Sequence, residues 1–186
     1  MTVWIYIFTG ALLALALFWI KGMFMGFAAQ RPEDYEDEHP TFDIRQHLNG
    51  QLVCEGVIYG PLGRVSSRFV ADFDASWEGD KGLMKERFVY DDGSVQDREW
   101  HLELRSDGAI AATAPDVVGE GRGRQSGSTV LLRYNIRLPE NSGGHVLNTV
   151  DWMYLTPNGT IMNRSQFRKF GIKVAELVAT MRPREA

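Results

Sequence analysis

An alternation of apolar and polar residues with a period of two runs through most of the chain from residue 50 onward. This alternation constrains the fold more than any other feature. In its clearest segment Val130, Leu132 and Ile136 share one face, while Arg133 and Asn135 take the other. Such a pattern is typical of a strand that buries one side. Turn signals rich in Gly, Asn and Asp recur roughly every 10–15 residues, which indicates hairpins between successive strands.

We count about nine strands in this region, with no long helical period between them. The glycine-rich stretch from Gly119 to Gly123 is predicted to be a turn or bulge between strands. An antiparallel sheet of this size has two exposed edges, and closure into a barrel removes them. A barrel of about eight or more strands can also hold a small ligand. The sequence therefore predicts an all-β antiparallel barrel over residues 41–186.

The N-terminal segment is of a different kind. The 19 residues from Thr2 to Ile20 carry no charge, and as a helix they would extend about 28 Å, near the thickness of a bilayer's hydrocarbon core. No basic region precedes them, which disfavours a cleaved signal peptide. We predict a transmembrane anchor over residues 1–29. Residues 30–40, which include the run RPEDYEDEHP, are predicted to be a solvated acidic linker.

Composition excludes several classes of protein. The chain has 20 basic and 24 acidic residues, a net charge of −4, which argues against a nucleic-acid binder. Its single cysteine, Cys54, cannot form an internal disulfide. The four histidines lack the spacing of metal ligands. We therefore predict no metal and no cofactor.

Charged residues on apolar faces are the candidates for a site. In the segment from Asp97 to Arg105, Arg98 shares its face with Trp100 and Leu102, so its guanidinium is expected inside the barrel. A buried charge without a partner is very costly, so Arg98 needs a carboxylate or an anionic ligand. The candidate partners are Asp116, Asp151 and Glu176.

Two other segments place polar residues among apolar ones. Asp151 precedes the apolar run of Trp152, Met153, Tyr154 and Leu155, and Asn163 and Arg164 follow Ile161 and Met162. Two interpretations stay open here. The inward polar residues form either a structural ion-pair network or the polar floor of an apolar pocket that orients a carboxylate or head group.

Basic residues are frequent near the C-terminus: Arg164, Arg168, Lys169, Lys173, Arg182 and Arg184. They form either an ordinary solvated face or a contact surface for anionic lipid head groups.

Several motifs together resemble the bacterial family DUF3833. They are Glu86-x-Phe88-x-Tyr90-Asp91-Asp92-Gly93, Arg98-x-Trp100, Asp116-Val117-Val118-Gly119-x-Gly121-x-Gly123, Asp151-Trp152-Met153-Tyr154-Leu155 and Asn163-Arg164-x5-Phe170-Gly171. The resemblance extends from about Phe42 to Met181. It implies a calycin-like β-barrel and, by the habit of the family, a lipoprotein of Gram-negative bacteria, without implying an activity.

No cysteine follows the apolar N-terminal segment, so a lipid cannot be attached there, and the predicted helix would replace it. The family habit implies a periplasmic domain, whereas basic residues after the segment lean toward a cytoplasmic one. We expect a single-pass protein of the bacterial inner membrane with its barrel in the periplasm.

Three functions are compatible with these features. The first is a lipocalin-like carrier of a lipid or other apolar small molecule, with Trp100, Trp152 and Tyr154 as walls and Arg98 at the polar end. The second is an envelope scaffold with a packed barrel, and the third is an enzyme acting on membrane lipids through Asp151. No catalytic residue is assigned. The candidate ligand-binding residues are Arg98, Trp100, Asp116, Asp151, Trp152, Tyr154, Asn163 and Arg164.

Overall fold

The computed structural model describes residues 2–185, and the side chains of all of these except 2, 18, 19, 21–24 and 141. Two α-helices, three short 3₁₀ helices and ten strands follow one another along the chain. The helices are α1 (Thr2–Phe24), η1 (Phe27–Ala29), η2 (Pro32–Tyr35), α2 (Ile44–His47) and η3 (Glu140–Ser142). The strands are β1 (Gly50–Tyr59), β2 (Val65–Glu78), β3 (Lys81–Tyr90), β4 (Val95–Leu104), β5 (Ala109–Thr113), β6 (Gly121–Ser126), β7 (Thr129–Arg137), β8 (Val146–Leu155), β9 (Ile161–Lys169) and β10 (Ile172–Pro183).

The strands form one closed antiparallel barrel in which each strand pairs with its neighbours in sequence. β10 closes the barrel by pairing with β1, with Met181 opposite Cys54. The predicted all-β barrel is confirmed, but the predicted count of nine strands is wrong, since the described chain has ten.

The glycine-rich stretch contributes to this difference in count. Residues Gly121–Ser126 form strand β6, although we expected a turn or bulge there. β6 lacks an apolar alternation because its core-facing positions are glycines. A Cβ atom on Gly123 would overlap the carbonyl oxygen of Leu131, and one on Gly121 would press against Tyr134. Close approach of the neighbouring strand β7 therefore excludes the side chains by which a strand is recognised.

Helix α2 covers one end of the barrel, which we call the closed end. Ile44 and the flanking Phe42 and Leu48 are buried in the barrel core. The indole nitrogen of Trp77 donates a hydrogen bond to the carbonyl oxygen of Leu48 at 2.8 Å. Asp43 caps α2 by accepting a hydrogen bond from the backbone nitrogen of Arg45. The end opposite α2, which we call the far end, carries the connections at 60–64, 91–94, 114–120, 138–145 and 170–171.

The segment of residues 27–42, which we call the N-terminal arm, lies against the outside of the barrel. Phe27 and Tyr35 pack with Leu131, Val150 and Trp152 in a second apolar cluster. Ser128 donates a hydrogen bond to Glu38 at 3.1 Å, and the backbone nitrogen of Phe42 donates to Gly127 at 2.8 Å. The segment predicted as a solvated linker is therefore bound to the barrel along part of its length.

Within residues 2–185, no helix combines the length and the hydropathy that crossing a membrane requires. The predicted transmembrane anchor is therefore not confirmed. The predicted inner-membrane location stays a prediction.

Candidate functional site

The barrel interior contains a cavity of about 110 Å³ near its middle. Apolar side chains form most of the wall, among them Phe73, Phe88, Trp100, Met84 and Met153. The polar lining consists of Glu86, Arg98, Tyr134, Asp151, Asn163 and Ser165. Strand alternation brings these residues together, since each occupies an inward position of its own strand.

Arg98 is the single guanidinium of this lining, and its side chain is 13% exposed. Its Nε and Nη2 donate hydrogen bonds to the two carboxylate oxygens of Asp116 at 2.8 and 3.2 Å. Its Nη1 lies 3.4 Å from Oε2 of Glu86. The guanidinium carbon also lies 4.9 Å from the centroid of the Trp100 ring. All three guanidinium nitrogens are thereby engaged by protein carboxylates, so they do not offer a ready site for an anion.

Asp151 lies on the opposite wall and is held by neutral donors. Its Oδ1 accepts hydrogen bonds from Asn163 at 2.5 Å and from Ser165 at 2.8 Å. Its Oδ2 lies 3.4 Å from the hydroxyl of Tyr134. Register explains the cluster, since Ser165 stands directly opposite Asp151 and Asn163 opposite Met153. This carboxylate is therefore positioned by hydrogen bonds, and no cationic side chain that the structure describes forms an ion pair with it.

Glu86 is held by the contact with Arg98 and by a side-chain hydrogen bond from Trp100. It is only 6% exposed and stands opposite Arg98 in the sheet. Burial raises the pKa of Glu86 to about 7, although the nearby Arg98 acts in the other direction. Burial likewise raises the pKa of Asp151 above its ordinary value, against the lowering effect of its hydrogen bonds from Asn163 and Ser165.

The electrostatics of the site follow from this inventory. Three carboxyl groups lie around one guanidinium, which pairs with Glu86 and Asp116, while Asp151 is held by Asn163 and Ser165. The raised pKa values of Glu86 and Asp151 express the excess of acceptors over cations in a poorly solvated space. A site of this kind favours a proton or a hydrogen-bond donor over an anion.

The structure places five of the eight candidate residues at this interior site: Arg98, Trp100, Asp116, Asp151 and Asn163. Asp116 reaches Arg98 from the loop before β6, so of the candidate partners Asp116 is the one that pairs with Arg98. Glu176 lies elsewhere and pairs with Arg164 and Lys173.

The expectation that Trp152 and Tyr154 form walls of the interior is wrong. Both belong to the outer face of β8, where the N-terminal arm covers them. Tyr35 lies 5.5 Å from the ring of Trp152, and the hydroxyl of Tyr154 donates to Gln30 at 2.6 Å. β8 carries apolar residues on both faces, so alternation does not show which face points inward. Asp151 and Met153 lie on the inward face.

Arg164 also lies outside the barrel. Its Nε donates to Oε1 of Glu176 at 2.6 Å, and its guanidinium carbon lies 4.7 Å from the centroid of the Phe27 ring. Arg164 therefore helps to fix the N-terminal arm and takes no part in the cavity.

Three residues of the site were not predicted: Glu86, Tyr134 and Ser165. The sequence carried a signal for the first, because Glu86 shares its face of β3 with Met84 and Phe88 just as Arg98 shares a face with Trp100. Tyr134 continues the inward alternation of Val130, Leu132 and Ile136, a pattern that indicates a core residue. Ser165 is small and polar, and nothing local distinguishes it from a solvent-facing serine.

Among the described residues, no group of three or more His, Cys, Asp and Glu side chains is placed to hold a metal ion. What the arrangement can do chemically is accept hydrogen bonds from a small buried group and exchange a proton at Glu86.

A closed antiparallel barrel with a small polar cluster in an apolar interior defines a lipocalin-like β-barrel protein. The family DUF3833, described as a protein of unknown function, matches residues 22–183, and the chain belongs to this family. A search of curated proteins finds no match.

Two solved structures show the same fold. The S-type phycobiliprotein lyase CPES from Guillardia theta superposes with a TM-score of 0.58 at 9% identity, over 77% of this chain and 92% of its own. Rv2717c from M. tuberculosis superposes with a TM-score of 0.55 at 13% identity, over 80% of this chain and 100% of its own. At these identities the likeness concerns the fold.

Proposed function

We propose that the barrel binds a small, mostly apolar molecule whose polar end donates hydrogen bonds to Glu86. The observation that carries this proposal is the cavity itself, in which an apolar wall meets the buried carboxyl of Glu86, held by a long contact to Arg98 and a hydrogen bond from Trp100. A carboxylate has about four acceptor positions, so these two contacts leave room for a hydrogen bond from a ligand donor. The fold similarity to a phycobiliprotein lyase is compatible with small-molecule binding.

The chemistry of the site selects the polar end of the ligand. Arg98 is engaged by Asp116 and Glu86, so a carboxylate ligand would have to displace a protein carboxylate from it. An amine, amide or other N–H group would instead find more hydrogen-bond acceptors than cations in the cavity. This differs from our expectation of a site that orients a carboxylate.

The size of the cavity limits the ligand. At about 110 Å³ it is smaller than the ~150 Å³ cavity that takes up benzene in an engineered protein. Larger molecules would require movement of the wall. The wall contains Met84, Met153 and Met181, whose unbranched side chains adapt readily to different shapes.

The other two functions are less well supported. A packed scaffold barrel predicts an interior without a cavity, whereas a cavity is present. The enzyme hypothesis assigned Asp151, but that carboxylate is occupied by hydrogen bonds from Asn163 and Ser165.

The test uses two small fluorinated probes of similar size and of opposite charge, 3,3,3-trifluoropropylamine and 3,3,3-trifluoropropanoate, titrated into the full chain and followed by fluorine NMR. We expect the amine to bind roughly tenfold more tightly than the acid, consistent with one charge-assisted hydrogen bond. Glu86→Gln is expected to remove most of that preference. The matched control is Glu99→Gln, which changes a carboxylate on the outer face of β4.

Equal or stronger binding of the acid would overturn the proposed polar end. Absence of binding by both probes, together with no stoichiometric adduct in native mass spectrometry of the full chain, would overturn the binding function. The full chain is needed because Phe27 and Gln30 contact the barrel.

A further inference from the structure

Two neighbouring hairpin turns at the far end expose large apolar side chains. Leu62 and Val65, at the β1–β2 turn, are 87% and 54% exposed. Phe170 and Ile172, at the β9–β10 turn, are 94% and 71% exposed. Because β1 pairs with β10, the two turns lie side by side at the same end of the barrel. We call residues 60–65 and 168–173 together the far-end tip.

The backbone at Phe170 shows that this residue is not placed for the stability of the fold. Phe170 and Gly171 form a two-residue hairpin turn in which both have positive φ, 52° and 80°. Such a turn favours Asn-Gly, and a bulky residue in the left-handed region is a rare and unfavourable choice. Phe170 therefore occupies a strained position without gaining burial in the barrel, which suggests that its ring serves a contact outside the chain.

The charge of the far-end tip identifies the chemistry of that contact. Its two segments, GPLGRV and RKFGIK, contain four basic residues and no acidic one, in a chain whose net charge is −4. Lys169 places its Nζ 5.7 Å from the centroid of the Phe170 ring, and Arg64 is exposed. Lys173 is partly neutralised by Glu176, so the unpaired positive charge lies nearest the apolar side chains.

We infer that the far-end tip docks on an anionic lipid surface, with Phe170, Ile172 and Leu62 in the interface and the basic side chains at the head groups. A protein binds an anionic membrane by burying apolar side chains in the interface and by attraction of basic side chains to the head groups. Protruding apolar turns flanked by Lys and Arg provide both. A protein partner would need a complementary groove for two protruding turns. The other three far-end connections carry acidic residues, at Asp92, Glu120 and Glu140. The connections with Asp92 and Glu140 flank the far-end tip, so docking is tilted away from them, toward β10 and β1.

The test places an environment-sensitive fluorophore at the tip of the full chain through Pro61→Cys, which keeps all four apolar and all four basic residues. The matched control is Ser106→Cys, in the β4–β5 turn at the closed end. Cys54 stays unlabelled because it is buried and burial raises the pKa of its thiol. Each labelled protein is mixed with phosphatidylcholine vesicles with or without phosphatidylglycerol, and quenching by brominated lipid reports immersion of the probe.

We expect quenching at Pro61→Cys on anionic vesicles, with an apparent affinity roughly 150-fold above that for neutral ones, as the three basic residues Arg64, Arg168 and Lys169 would provide. The closed-end probe should stay unquenched. The apolar helix α1 can itself associate with lipid, so binding to vesicles alone does not test the inference. The readout is therefore which of the two probes is quenched.

Phe170→Asn in the labelled background provides the second variant. Asn fits the turn better than Phe, so the melting temperature should hold or rise while quenching falls about tenfold. An unquenched tip, equal quenching of both probes, equal quenching on neutral vesicles, or no effect of Phe170→Asn would each overturn the inference. An unquenched tip would redirect the search to a protein partner.

Discussion

The inner and outer faces of the barrel wall are both rich in charged residues, but they place them in opposite environments. On β4, Arg98 points inward and is paired with Asp116 at 13% exposure, while the adjacent Asp97 points outward and pairs with Arg87 at 67% exposure. The hydrogen-bond distances are similar, 2.8 and 3.0 Å. Hydrogen-bond distance therefore does not distinguish the buried ion pair from the exposed one. Their energies differ because water screens the exposed pair and is excluded from the buried pair.

The outer face of the barrel also contains buried residues, where the N-terminal arm covers it. Beneath the N-terminal arm, Trp152, Tyr154 and Tyr35 form a cluster whose hydroxyl groups meet the side chain of Gln30. This cluster contains neutral phenols where the interior contains carboxyl groups. The comparison indicates that the arm has a structural role, while the buried excess of carboxyl groups lies in the cavity.

The largest effect is expected from Arg98→Met. The change leaves Glu86 and Asp116 without their cation, and breaking a buried pair in this way costs about 3–5 kcal/mol. We expect a loss of about 3 kcal/mol in the free energy of unfolding at pH 8, measured with urea, and a smaller loss at pH 5, where Glu86 is protonated. Arg87→Met on the outer face is the control, and equal losses in the two variants would contradict the comparison.

The next effect concerns pH. The pKa of Glu86 in the folded protein, about 7, lies above its ordinary value of 4.5, so the folded protein keeps a proton that the unfolded chain releases. The resulting stability is complete below pH 4.5 and is lost as the pH rises through 7, a change of about 3 kcal/mol.

Glu86→Gln should remove this part of the pH dependence and leave a smaller slope of the same sign, because the pKa of Asp151 is also raised. Urea unfolding at several pH values between 4.5 and 8 measures this pH dependence of the free energy of unfolding. The control Glu99→Gln should retain the slope of the unmodified protein. An unchanged slope in Glu86→Gln would show that the interior carboxyl does not titrate in this range.

A smaller effect is expected from Tyr35→Phe. It removes one neutral hydrogen bond to Gln30 on the outer face and leaves the ring contact with Trp152, which should cost about 1 kcal/mol. Thermal unfolding measures this loss of stability, and a faster rate of proteolysis within the N-terminal arm shows that the arm is less firmly bound. Tyr59→Phe, a hydroxyl deletion away from the arm, should leave the proteolysis rate unchanged, and a loss that varied with pH would contradict a neutral outer cluster.

The smallest effect is expected from Arg87→Ala. The side chains of Arg87 and Asp97 are 59% and 67% exposed, and such surface pairs contribute less than about 0.5 kcal/mol. Differential scanning calorimetry at low and moderate salt is the measurement. A loss comparable to that of Arg98→Met would remove the distinction between the two faces.

The sequence by itself determined the architecture and part of the site. Period-two alternation specified strands, and the inward position of Arg98 beside Trp100 predicted a buried cation that needs a carboxylate. Both conclusions follow from local rules, because a strand alternates its faces and a buried charge requires a partner. The same rule, applied to Met84 and Phe88, could have identified Glu86 as well.

Only the tertiary structure decided the remaining features, because they depend on contacts between distant segments. On β8 both faces are apolar, so alternation could not choose between Asp151 and Trp152, and the choice follows from the N-terminal arm that covers Trp152. Strand β6 was hidden because contact with β7 leaves no room for side chains at its glycines. Asp116 was one of three candidates for Arg98, and it is the partner because its loop, held to β7 by the bridge between Val117 and Ile136, brings the carboxylate to 2.8 Å from the guanidinium.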